Sequence, residues 1–257
     1  MRIAIIGYGF VGKHIERDVS DKGHDIFIYD PILTYVYGHS RETINSCDVA
    51  FVCVPTPSKE DGSCDTSIVE EVVSWLNCPV VIIRSTIPPG TLEKLYSTTR
   101  SHLVFIPEFI GEGVNAPYNQ MRQPPFLIIG GKPESRTAAI ECLAKIYSSE
   151  CEMIQVDSRT AELCKYAENY FLALKVTWSN EMYNICKKLG VDYNQMMTAL
   201  THDYRIGRSH THVYPDKRGW SGKCLPKDTL ALLDMTRDTA PLLAAMILVN
   251  EVHKNAK

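Results

Sequence analysis

Along the first 157 residues, short apolar runs alternate with longer mixed segments. Ile3–Ile6, Ile26–Tyr29, Val49–Val54, Val80–Ile83, Leu103–Ile106 and Phe126–Ile129 have the length and continuity of strands buried on both faces. Helical segments fall between most of them, Ile68–Leu76 and Arg136–Tyr147 among them. This alternation predicts an α/β fold, a doubly wound parallel sheet with helices on both faces.

The texture changes at Ser158, a residue able to cap a helix, and neither Pro nor Gly then occurs before Gly190. Ala161, Cys164, Ala167, Phe171, Leu174, Trp178, Met182, Ile185 and Leu189 recur at spacings of three and four, which predicts one long amphipathic helix. A shorter helix capped by Asp192 follows, then a polar loop over 204–223 and two more helices. The expected organisation is a nucleotide-binding domain over 1–157 and an all-helical domain over 158–257. The long helix carries more apolar surface than a small helical domain covers, so a homodimer through it is expected.

Composition narrows the classes. The net charge of -3 gives no electrostatic reason to expect nucleic acid or an anionic membrane as partner. No apolar run approaches the roughly 18 residues of a membrane span, and the apolar N-terminus leads straight into a glycine motif, as a first strand does. The nine cysteines are odd in number and include no C-x-x-C pair, so neither a disulfide framework nor a metal site is expected, and free thiols fit a cytoplasmic location.

Gly7-Tyr8-Gly9-Phe10-Val11-Gly12 follows a strand and opens a helix. Gly7 allows the tight turn, Gly9 lets the backbone approach a pyrophosphate, and Gly12 permits close helix–sheet packing; this is a Rossmann-type dinucleotide fingerprint. Asp30 ends the next strand, where a carboxylate binds ribose hydroxyls and repels a 2′-phosphate. NAD is therefore the expected cofactor, rather than NADP.

Cys224 lies in Gly222-Lys223-Cys224-Leu225-Pro226-Lys227-Asp228. Pro226 suits the first helical position, so Cys224 is expected just before a helix N-terminus, where the dipole and Lys227 favour the thiolate. Lys165 and Asn169 stand four apart on the long helix and share a face, a cation and an amide donor able to serve an oxyanion. Glu108 and Glu112 follow a strand in Pro107–Gly113, and either carboxylate is placed to act as a general base. Thr86, in Ser85–Thr91 after another strand, is a candidate to hold a water.

In this order, these segments resemble the UDP-glucose/GDP-mannose dehydrogenase family. Val54-Pro55-Thr56-Pro57, Asn180-Glu181 and Arg205-Ile206-Gly207 complete the match, which spans essentially the whole chain. The resemblance implies two successive hydride transfers to NAD from C6 of a nucleotide sugar, UDP-glucose being the favoured substrate. It implies that Cys224 captures the aldehyde and carries the thioester, with Lys165 and Asn169 stabilising oxyanions. Glu108 is then the hydrolytic base, with Thr86 and Asp228 positioning its water. Glu112, Lys227 and Gly222 face the substrate, Arg205 reaches the substrate of a neighbouring subunit, and Pro55, Thr56 and Thr86 line the cofactor.

The sequence departs from the family pattern in three ways. It ends at Lys257 without the usual third, nucleotide-closing domain. The loop before Cys224 is longer than usual and carries Trp220-Ser221 in place of Phe-Gly. Ile106 and Gly111 replace an Asn and an Arg or Ala. Two other readings share the domain plan: a 3-hydroxyacid dehydrogenase, which oxidises once and needs no nucleophilic cysteine, and an inactive or split NAD-binding dimerising module that requires a separate nucleotide-binding chain.

Overall fold

The computed structural model describes residues 1–33, 38–111, 117–121 and 123–255. They form two compact units, one of residues 1–57 and 64–165, the other of residues 58–63 and 166–257.

In the first unit, strands β1 (Arg2–Ile6), β2 (Asp25–Tyr29), β3 (Val49–Val52), β4 (Val80–Ile83), β5 (His102–Phe105), β6 (Phe126–Gly131) and β7 (Glu152–Val156) build one sheet in the order β2-β1-β3-β4-β5-β6-β7. Helices α1 (Phe10–Ser20), α2 (Arg41–Asn45), α3 (Ser67–Trp75), α4 (Thr91–Leu95) and α5 (Pro133–Leu143) accompany it. The central strands are apolar at every position because both faces are covered: β3 and β4 are buried throughout. One core holds Ala4, Ile6, Val52, Val81 and Ile83, and the other, from the alternate positions, holds Ile3, Ile5, Phe51, Val80 and Ile82.

The first five strands are parallel, as expected, but β6 runs antiparallel to β5. No α-helix occurs among the described residues between Phe105 and Phe126, and β6 returns alongside β5 in the opposite sense. β7 then pairs parallel with β6. It is an edge strand whose residues are mostly half-exposed or exposed, so it has no apolar run to announce it.

Helix α6 (Ser158–Leu189) begins in the first unit and continues through the second, which adds α7 (Tyr193–Leu200), α8 (Cys224–Met235) and α9 (Pro241–Asn255). Asp157, rather than Ser158, caps α6: its carboxylate accepts the Thr160 N–H at 2.9 Å. Asp192 caps α7 as expected, accepting from Gln195 N, and Gly190 stops α6 at φ 67°. The buried face of α6 runs through Glu162, Tyr166, Asn169, Ala173, Thr177 and Asn180. The apolar stripe read from the sequence mostly points outward: Phe171 is 60% and Leu189 69% exposed, and Trp178 and Ile185 are also open. Among the described residues, no helix is long and apolar enough to cross a membrane.

Candidate active site

The sheet order reverses direction between β1 and β3, and doubly wound sheets bind ligands at the carboxyl ends of the strands at such a switch point. The glycine loop follows β1. Gly7 has φ 86°, and a Cβ there would stand 2.7 Å from the Cys53 carbonyl oxygen. A Cβ on Gly12 would collide with the Gly7 carbonyl, so both positions exclude larger residues. Gly9 is different, since a Cβ there meets no protein atom within 4 Å. Open space lies over Gly9, which precedes α1 without offering its first-turn N–H groups a side-chain cap. A pyrophosphate fits such a cradle. Asp30 braces it, one carboxylate oxygen accepting Tyr8 N at 2.8 Å and the other Ile32 N at 2.9 Å. Each oxygen keeps a lone pair for a ribose hydroxyl. Phe10 stands half-exposed at the start of α1, with Val11 beside it partly covered.

The loops after β3 and β4 are tied together by Ser85, whose hydroxyl donates to the Val54 carbonyl at 2.7 Å. This places Pro55 (exposed), Thr56 (buried) and Thr86 (half-buried) on adjoining loops. Glu162 on α6 anchors the second loop. Its carboxylate accepts Gly90 N at 2.5 Å and Leu92 N at 2.7 Å, satisfying the start of α4. Burial pushes this carboxyl up to about 7 against the pull of those two N–H groups.

Glu108 follows β5, and the structure gives it a partner that sequence reasoning missed. Its carboxylate forms a buried ion pair with Arg84, the residue after β4, and accepts the N–H groups of Phe109 at 2.9 Å and Ile110 at 3.1 Å. Burial alone would raise the Glu108 carboxyl, but the guanidinium and the Ile110 N–H outweigh it and hold the group below the usual carboxylate range. The available signal was a lone arginine closing an otherwise apolar strand. The effect is a firmly held anion with reduced proton affinity, and so a weaker base than the sequence implied. Replacing Arg84 with Met should leave this carboxylate buried and unpaired. Glu108 titration should then rise above the ordinary glutamate range, and stability above that range should fall by about 3–5 kcal/mol. A pH series of initial rates and melting temperatures checks both, and an acidic limb identical to wild type would rule out the linkage.

Lys165 completes the first unit's set, buried on α6 with its ammonium 5.4 Å from the Phe109 ring centroid. Glu112 lies outside the described residues.

In the second unit, Cys224 is the first residue of α8, with Pro226 third rather than first. The helix thus starts earlier than the sequence suggested, which the ring tolerates because first-turn N–H groups have no intrahelical acceptor. None of the nine cysteines is in a disulfide, and among the described residues Cys224 alone of them is exposed. Burial pushes Cys47 up to about 11, and Cys53 and Cys78 up to about 12. One turn on, Asp228 is buried between two partners, the Asn169 amide at 2.5 Å and the Lys227 ammonium at 2.5 Å. Asp228 therefore holds the Asn169 amide and the Lys227 ammonium in place. Gly222, at φ 93°, makes the turn before Lys223. Arg205 is exposed and chelated by Asp203.

Residues 34–150 match the NAD binding domain model of the UDP-glucose/GDP-mannose dehydrogenase family, and residues 159–252 match the same family's central domain. The UDP-glucose 6-dehydrogenase of Rhizobium meliloti (strain 1021) is 29% identical, over 100% of this chain and 69% of its own length. A putative UDP-glucose 6-dehydrogenase of Bacillus subtilis (strain 168) is 30% identical, over 90% of this chain and 62% of its own. The solved structure of a UDP-glucose dehydrogenase from the hyperthermophilic archaeon Pyrobaculum islandicum is similar with a TM-score of 0.79 at 28% identity, covering 98% of this chain and 68% of that one. The chain spans about two thirds of the length of these relatives.

Proposed function

Because this chain belongs to the UDP-glucose/GDP-mannose dehydrogenase family of NAD-dependent oxidoreductases, we propose that it oxidises the C6 alcohol of a nucleotide sugar to a carboxylate through a thioester on Cys224. UDP-glucose is the favoured substrate, in keeping with the relatives' names. The observation that carries the reading is the single exposed thiol at the start of α8, one turn from the Asn169–Asp228–Lys227 cluster.

NAD, bound by the Gly7–Gly12 loop and Asp30 with Pro55, Thr56 and Thr86 beside it, would supply the hydride acceptor for both oxidations. The residues of the chain do the rest. The first oxidation removes a hydride from C6 and a proton from its hydroxyl, and Lys165 and Asn169 stabilise the alkoxide that develops. The Cys224 sulfur adds to the aldehyde carbon, forming a C–S bond and a thiohemiacetal oxygen held by the same two groups. Loss of the second hydride leaves the thioester. Water then adds, the C–S bond breaks, and the carboxylate departs while the thiol is regenerated. Glu108, Thr86 and Asp228 serve this last step, Glu108 as a weak base on an already activated acyl group and the other two as holders of its water. The single-oxidation reading leaves the exposed Cys224 without a task. Two NADH released per UDP-glucose consumed is the expected result, with GDP-mannose and UDP-N-acetyl sugars as comparisons; one NADH per sugar, or none, would overturn the four-electron reading.

We also propose that the chain forms a homodimer across the open stripe of α6, where Phe171, Trp178, Ile185 and Leu189 leave an apolar band uncovered. Arg205, exposed on its loop, then serves the partner subunit's substrate. Sedimentation at micromolar concentration should give a dimer, and Phe171→Glu should shift it to monomer. A wild-type monomer would refute the assignment.

A further inference from the structure

The loop over 204–223 delivers Cys224 to α8, yet the structure shows no regular secondary structure within it. Its last stretch is held by side chains of two helices. On α9, Asn250 is 1% exposed. Its amide oxygen accepts the Trp220 N–H at 2.8 Å, and its amide nitrogen donates to the Trp220 carbonyl at 3.1 Å. On α6, the Asn180 amide oxygen accepts Gly219 N at 3.2 Å and Arg218 Nε at 2.6 Å. The Trp220 indole N–H donates to the Thr177 hydroxyl at 2.9 Å. Gly219 has φ 73°, and a Cβ there would come 2.6 Å from the Asn250 amide oxygen, so the loop is pressed directly against α9.

We propose that Asn250 is a positioning residue for the Cys224 thiol, acting through both backbone polar groups of Trp220. The proposal rests on the reading of Cys224 as nucleophile. A carboxamide is the side chain that fits, because it offers an acceptor to the N–H and a donor to the C=O of one residue. Aspartate would accept the N–H but repel the carbonyl, and an aliphatic residue would leave both groups buried without partners. Beyond the clamp, only Ser221, Gly222 and Lys223 separate Trp220 from Cys224. With Trp220 fixed, the chain enters α8 in one direction, and the sulfur keeps its place at the helix N-terminus. Small displacements of a reacting group are expensive: about 1 Å is enough to slow a reaction about 100-fold.

The test compares Asn250→Asp with Gly219→Ala, which reaches the same clamp from the loop side. Each variant is first shown to be folded by its melting transition and to bind NAD normally. Iodoacetamide labelling of Cys224 is then followed against pH by mass spectrometry, and kcat and KM are measured with UDP-glucose. Both variants should lower kcat at least about tenfold with NAD affinity unchanged, and both should shift the pH profile of Cys224 labelling. Loss of thermal stability with the wild-type labelling profile and kcat intact would reduce Asn250 to a structural residue and overturn the proposal. If Asn250→Asp fails to fold, Gly219→Ala decides the matter alone. A wild-type protein without turnover would count against the functional reading only, and the labelling profiles would still test the clamp.

Discussion

Replacing Cys224 with serine should remove the four-electron oxidation, with a loss of at least roughly 10³-fold in NADH formation, while NAD affinity stays at the wild-type level. The hydroxyl is a far weaker nucleophile than a thiolate at neutral pH, and a helix N-terminus cannot bring a serine into a comparable ionisation range. NAD affinity should survive because the glycine loop and Asp30 belong to the first unit, and Cys224 to the second. Brief alkylation gives an independent measure. Cys224 is the one exposed thiol, and burial raises Cys47, Cys53, Cys78, Cys142, Cys151 and Cys164 above the ordinary thiol range. Iodoacetamide should therefore mark Cys224 first. Label spread evenly over the cysteines, or full NADH yield from the serine variant, would remove Cys224 from the mechanism.

Truncating Lys165 to alanine should slow turnover by on the order of 10²–10³ through kcat, with little change in KM. The residue is buried, so its charge acts where water screens it poorly, and its ammonium lies 5.4 Å from the Phe109 ring centroid. A group that stabilises charge only as it develops lowers the barrier without tightening substrate binding. A change confined to KM would instead make Lys165 a substrate anchor. Asn169 is separable from it, because Asp228 already holds one of its amide N–H donors.

The apolar pattern led directly to the first six strands and to the long helix, because strands buried on both faces are apolar at every position. It could not reveal β7, where Glu152 and Gln155 are exposed and Ile154 is open at the sheet edge. Nor did it mark the core-facing side of α6. The outward stripe is the more apolar one, while the inward side carries Glu162, Lys165, Asn169, Thr177 and Asn180, each buried. Hydrophobic periodicity reports carbon, and a helix that buries polar groups beside partners on other elements is invisible to it. The candidate residues were legible from motif spacing, but their partners were not. Arg84 with Glu108, and Asn250 with Trp220, are 24 and 30 residues apart, and only the fold joins them.

Glu162 has a consequence for the energetics of the first unit. Its carboxyl, raised from 4.5 to about 7, binds a proton more readily in the folded chain than in the unfolded one. Its contribution to stability is therefore complete below pH 4.5 and fades as pH rises through about 7. Glu108 works in the opposite sense, contributing above the ordinary glutamate range and losing that contribution as pH falls through its lowered value. Between the two, folding takes up a fraction of a proton at Glu162. The first unit thus exchanges protons with its buffer as it folds, and a calorimetric unfolding enthalpy would carry the ionisation heat of that buffer.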